Sequence, residues 1–201
     1  MKSLNSSYVL ILALVALVMS ACGEVPPDYF SKRSGVLGSP IALNSSTTSG
    51  TSWNSSCYAY TDLSHAYAPA YAIDNMSFTD TANRYTTTTV YSDAACTKLL
   101  YTYTIHSTYV FSTDGTRLTE QLFDMENVFA NDASSAAKLS AAHYCMTPNW
   151  PVRGNIAVSS PANCGFSTSR SSTAKASSAN GTRTLVLQNS SGSTIVYTNT
   201  R

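Results

Sequence analysis

Charge is scarce in this chain: 12 Lys and Arg and 11 Asp and Glu are spread over 201 residues, for a formal net charge of +1. That leaves no basic footprint for a nucleic-acid backbone and no polybasic patch for an anionic membrane surface. Glycine is sparse too, at nine residues, and none forms a Gly-rich loop of the kind that cradles phosphate. The three histidines, His65, His106 and His143, fall in no metal-ligand spacing. No cysteine pair has CxxC spacing, which removes zinc ribbons and thioredoxin-like sites. Gly165-Phe166-Ser167-Thr168-Ser169 begins like a nucleophile elbow but lacks its closing Gly and a preceding strand. Carboxylates cluster once, at Glu120, Asp124 and Glu126. That spacing reads as a solvated strand edge, not as paired acids set across a groove for glycoside hydrolysis. The expectation is a protein that is not an enzyme and uses no metal or cofactor.

Long apolar runs are missing as well, with one short exception. Residues 8–19 are twelve apolar side chains in a row. At ~1.5 Å each they reach roughly 18 Å, too short for a hydrocarbon core of ~30 Å. With Lys2 before it and small residues after it, the run is predicted to be a secretory signal over residues 1–21. Met19-Ser20-Ala21-Cys22 resembles the lipobox of bacterial lipoproteins, with Met19 where that family mostly carries Leu. The resemblance implies cleavage before Cys22 and a diacylglyceryl thioether on its sulfur, usually with a third chain such as palmitate on its amine. Two or more acyl chains satisfy the requirement for stable membrane anchoring. Gly23 follows the cysteine; in enterobacterial lipoproteins Asp at this position retains the protein in the inner membrane, so the resemblance implies the outer one, with the chain facing the periplasm or the surface.

The cysteine count agrees with that address. Five cysteines leave one over in an exported protein. Assigning Cys22 to lipid leaves Cys57, Cys96, Cys145 and Cys164, which allow three pairings. Pairing Cys57 with Cys96 and Cys145 with Cys164 closes the shortest loops between neighbours and is the preferred arrangement. Both bonds imply an oxidising compartment, the bacterial periplasm or cell surface.

Without the leader the formal charge falls to zero, since Lys2 goes with it. Ser and Thr, 57 residues of 201, supply the polarity instead. Residues 22–50 read as a lipidated N-terminus and flexible tether, stiffened by Pro26-Pro27 and then Ser/Thr-rich. A single β-rich domain is expected over 51–201. Its clearest signal runs from Leu99 to Phe111, where alternation holds for thirteen residues and predicts one strand bent near Ser107, or two joined there. Further strands are predicted over 52–60, 70–78, 83–92 and 117–129, the last with Thr119, Gln121, Phe123, Met125, Asn127 and Phe129 on one face. Ser112-Thr113-Asp114-Gly115 and Asn189-Ser190-Ser191-Gly192 read as hairpin turns. One short helix is predicted near 132–144, capped by Asn131 or Asp132. Residues 167–181 show no apolar pattern and read as a long mobile loop.

The expected class is therefore mainly β and antiparallel, about seven or eight strands forming a barrel or a sandwich. Gly50-Thr51-Ser52-Trp53 resembles the Gly-x-Trp opening of lipocalin-like barrels, one residue longer, and a late strand carries Arg183. The resemblance implies that Trp53 closes one barrel end beneath a stacked basic residue. Thirteen tyrosines add a second pointer. Tyr101, Tyr103 and Tyr109 share one strand face, beside Tyr85 and Tyr91 on a neighbour, and with Trp53 form a ring-rich candidate lining for a ligand. Two functions follow. One is an envelope-anchored lipoprotein binding a small apolar or sugar-like ligand in its barrel. The alternative is a structural or surface-interaction lipoprotein, adhesin-like or an assembly accessory, whose partner is another envelope protein.

Overall fold

A computed structural model describes residues 39–200. The leader, Cys22 and the first part of the predicted tether lie outside the described residues. The elements are β1 (Ser39–Pro40), α1 (Ser45–Thr48), β2 (Thr51–Ser55), β3 (Tyr58–Tyr60), β4 (Ala70–Phe78), β5 (Asn83–Tyr91), β6 (Leu99–Phe111), β7 (Arg117–Ala130), α2 (Ala133–Ala141), β8 (Ile156–Val158), β9 (Ser169–Ala179), β10 (Thr182–Asn189) and β11 (Thr194–Thr200).

Eight of these strands close an up-and-down antiparallel barrel. β2, β4, β5, β6 and β7 pair in sequence order, β9 joins β7, β10 and β11 follow, and β11 returns to β2. Closure leaves none of the eight as a free sheet edge, which a single long meander would otherwise expose. β3 continues beside β4 where β2 leaves it. β1 and β8 are additions: β1 covers the end of β9, and β8 pairs the upper half of β7. The β7–β9 seam spans only Arg117–Gln121 against Ser169–Thr173, so these two strands part above it. The connection carrying α2 folds over that gap. It is fastened by the Cys145–Cys164 bond, and Cys57–Cys96 ties β3's entry to the β5–β6 loop. Both are the preferred pairings.

Hairpin turns after β4, β6 and β9 mark one end of the barrel, and the longer loops together with the β10–β11 turn mark the other. The turn end is plugged by rings and aliphatics: Trp53, Met76, Phe78, Tyr109, Phe111 and Leu118. A second apolar cluster, with Tyr101, Leu122, Met125, Leu139, Tyr144 and Trp150, lies toward the loop end beneath α2. Asp132 caps α2 by accepting from the Ser135 backbone N–H at 2.8 Å, and Ala136 and Leu139 are the face it buries.

Five expectations change. Residues 167–181 are not a loop: Ser169–Ala179 is β9, paired along its length with β7, β10 and β1. Its inward side chains are Arg170, Ser172, Ala174 and Ala176, so the strand shows no apolar stripe although it is an interior wall. β6 is one unbroken strand, and the irregularity near Ser107 sits on its partner. β7 carries extra residues between Leu122 and Asp124 and again between Glu126 and Phe129. Each such bulge reverses the side-chain alternation. The inward set is therefore Leu118, Glu120, Leu122, Met125, Val128 and Ala130, not the odd-numbered face. Tyr85 points outward, stacked on His106 at 4.6 Å, because the inward residues of β5 are Arg84, Thr86, Thr88 and Val90. Finally, the fold begins before Thr51: Leu43 is buried in the turn-end plug and α1 is capped by a reciprocal Asn44–Thr47 box.

Candidate functional site

Between the two apolar clusters the interior is polar. Asp74 from β4, Arg84 from β5, Ser107 from β6, Glu120 from β7 and Arg170 from β9 all point inward. Ser107 is the one small residue on the inward face of β6, and its Oγ donates to Glu120 Oε1 at 3.2 Å. Over it, Arg84 of β5 and Glu120 of β7 meet, with Nη1 2.6 Å from Oε1. Glu120 also faces Arg170 directly across the seam and accepts from its Nε at 2.8 Å and Nη2 at 3.3 Å. The acidic residue read as part of a solvated edge is thus the centre of a buried Arg–Glu–Arg triad. Asp124 and Glu126, beyond the first bulge, remain outside the barrel and exposed. Burial pushes the Glu120 carboxyl up, but the guanidiniums of Arg170 and Arg84 outweigh it and hold it down at about 2. The Arg84 guanidinium also lies over the Phe78 ring at 5.7 Å, joining the triad to the turn-end plug.

A second polar group sits at Asp74. Its Oδ1 accepts from Thr88 at 2.7 Å, and its Oδ2 accepts from Tyr58 at 3.0 Å and Tyr197 at 2.9 Å. Burial, and next the Asp74 charge, raise the Tyr58 and Tyr197 phenols far above their ordinary range, so both stay protonated donors. Tyr103 is pushed up to about 12, first by burial and then by Asp74. Its hydroxyl shares a hydrogen bond with Tyr60 at 3.0 Å, and its ring meets Phe166 at 5.4 Å.

These groups line a cavity of about 480 Å³. Apolar wall comes from Ile105, Leu187 and Ile195, and the rim includes Leu63, Phe166 and the β10–β11 turn. A volume of this size is within the ~300–1,000 Å³ usual for small-molecule sites, as is the mix of rings with a few placed polar groups.

Of the four predicted lining residues, only Tyr103 reaches the cavity. Trp53 is in the turn-end plug, donating Nε1–H to Thr51 Oγ1 at 2.8 Å, in the end-closing place the lipocalin-like resemblance implied. Among the described residues Arg183 makes no cation–π contact with it. Tyr109 packs in the same plug against Phe78 at 4.6 Å. Tyr101 lies in the loop-end cluster, its hydroxyl bound to the buried Asp62 carboxylate, which also accepts from the Ser64 and Tyr67 backbone N–H groups. Arg84, Asp74, Glu120, Arg170, Tyr58 and Tyr197 were not legible as site residues. The strands of Arg84 and Arg170 carry Thr or Ser on both faces, so polarity does not reveal which side is inside. Among the described residues, no group of three His, Cys, Asp or Glu side chains is placed to hold a metal. No protein-family model and no curated protein matches this chain.

Proposed function

We propose that this protein is a small-molecule-binding lipoprotein of the bacterial envelope. The observation that carries the binding part is the cavity of about 480 Å³ inside the barrel, walled by rings and aliphatics and floored by ionised side chains. A barrel of this strand number has room to fill its interior with side chains or to hold one small ligand. Here the interior is divided, with an apolar plug below and a polar chamber above. The ligand has both ring or aliphatic surface and polar groups, matching Ile105, Leu187 and Ile195 on one side and Arg84, Glu120 and Arg170 on the other. The envelope address rests on the Met19-Ser20-Ala21-Cys22 motif and accords with two disulfides in the domain.

Native mass spectrometry of the full-length protein, extracted in mild detergent from its own membrane, tests both halves. The expected spectrum starts at Cys22, carries acyl mass, and shows a further adduct lost on gentle activation. A chain starting elsewhere without lipid removes the address, and an adduct-free spectrum from native membranes counts against the ligand. Cys22→Ala should move the protein from the membrane pellet to the soluble fraction. The surface-interaction alternative draws on one exterior feature: Phe123, 46 % exposed, continues the Tyr85–His106 stack across three strands at 5.6 Å from His106. It predicts that Phe123→Ser abolishes capture of an envelope partner while leaving any adduct in place.

A further inference from the structure

The triad at the cavity floor is not neutral. Two guanidiniums face one carboxylate at contact distance, so the triad itself sums to +1. Asp74 does not offset it by contact: among the described residues it pairs with no cation, and its oxygens are occupied by Thr88, Tyr58 and Tyr197 hydroxyls. The hydrogen bonds are unbalanced in the same direction. Arg84 directs Nε and Nη2 to Thr86 Oγ1, at 3.1 and 2.9 Å. Its Nη1 is close to Glu120 but off the line of a hydrogen bond, and this buried nitrogen has no acceptor. Arg170 uses Nε and Nη2 on Glu120, and among the described residues its Nη1 has no protein acceptor. Its side chain is 35 % exposed while its strand faces inward, so that exposure is to the cavity. A buried donor without an acceptor is costly, and more so when charged, so a second anion here removes a standing penalty. A guanidinium fork suits a planar carboxylate, and one more carboxylate sets two anions against the two guanidiniums of the triad, apart from Asp74 and its hydroxyl donors.

Building on the ligand-binding reading above, we propose that the cavity's ligand is a small organic acid whose carboxylate seats between Arg84 and Arg170, beside Glu120, with its apolar body against Ile105, Leu187 and Ile195. Glu120 then acts as a fixed spacer that holds the two guanidiniums apart and aimed, and the anion is recognised by donors the protein itself leaves unused.

The test uses the full mature chain in a nonionic detergent and two probes of one shape, 4-phenylbutyrate and its uncharged amide, by isothermal titration calorimetry at pH 7. The acid should bind at least tenfold tighter than the amide. Arg170→Gln, which keeps the Arg84–Glu120 pair, should erase that preference. Equal binding of acid and amide by the unaltered protein overturns the carboxylate assignment and leaves the cavity reading standing. Binding of neither probe also overturns it, and the native-membrane adduct then decides the cavity reading separately. Retention of the acid preference by a folded Arg170→Gln variant overturns the role given to Arg170 and with it the two-guanidinium seat.

Discussion

Replacing Glu120 by Gln should destabilise this barrel strongly at neutral pH and hardly at all in acid. Glu120 is buried and its carboxyl is held at about 2, against an ordinary 4.5. At about 1.4 kcal/mol for each tenfold change in proton affinity, that depression amounts to about 3 kcal/mol favouring the folded state at pH 7. The sign follows from the direction of the shift. A lowered carboxyl contributes its full stabilisation above the unfolded value, near 4.5, and loses it as pH falls toward 2. Glu120→Gln also leaves Arg84 buried without its counter-charge, for which breaking a buried pair costs about 3–5 kcal/mol. The two figures describe the same interaction from two sides and agree in size. Urea unfolding followed by tyrosine and tryptophan near-UV dichroism, at pH 7, 5 and 3, measures the difference between the two proteins. The gap should be about 3–5 kcal/mol at pH 7, little changed at pH 5, and clearly smaller at pH 3. A gap under about 1 kcal/mol at pH 7, or one that does not shrink with acid, would show that the two guanidiniums do not hold the Glu120 carboxylate in the folded state.

Asp74→Ala strands three buried hydroxyl donors, on Thr88, Tyr58 and Tyr197, and should lower stability by about 2–4 kcal/mol by urea denaturation. Leu43→Ala should lose about 2–5 kcal/mol, as for a core leucine, because this residue seals the turn-end plug; no effect would return residues 39–50 to the tether. Removing Cys57–Cys96, which closes 39 residues, with a double Ser variant should cost up to about 4 kcal/mol. Removing Cys145–Cys164, which closes 19, should cost somewhat less, and the order of the two melting points checks the loop argument.

How much of this was legible beforehand differs by element. β6 announces itself because its period-two pattern matches a wall with one buried face, and β5 because its run of β-branched Thr suits a half-exposed sheet. The hairpin at Asp114-Gly115 is equally local: Gly115 takes φ +69, and a Cβ there would lie 2.7 Å from the Leu43 carbonyl oxygen. β9 was invisible because pattern recognition looks for apolar side chains, and its inward face meets the polar triad and a tapering wall. The position of Glu120 was misread for a different reason. Its neighbours Thr119 and Gln121 are as polar as it is, and the bulges that set the inward face lie downstream, where β7 must follow β6 on one side and β8 on the other.

The local pattern alone determined where most of the strands and turns fall and that the domain is antiparallel and mainly β. These are short-range matters of side-chain alternation and turn chemistry. Only the tertiary structure decided that β11 returns to β2 and β9 meets β7, since closure depends on strand stagger summed around the whole sheet. It alone decided which polar residues are interior, because one extra residue in a strand moves every later side chain to the other face. The Arg84–Glu120–Arg170 triad joins three strands, its first two members 36 positions apart and its last two 50, and no local window of the chain contains it.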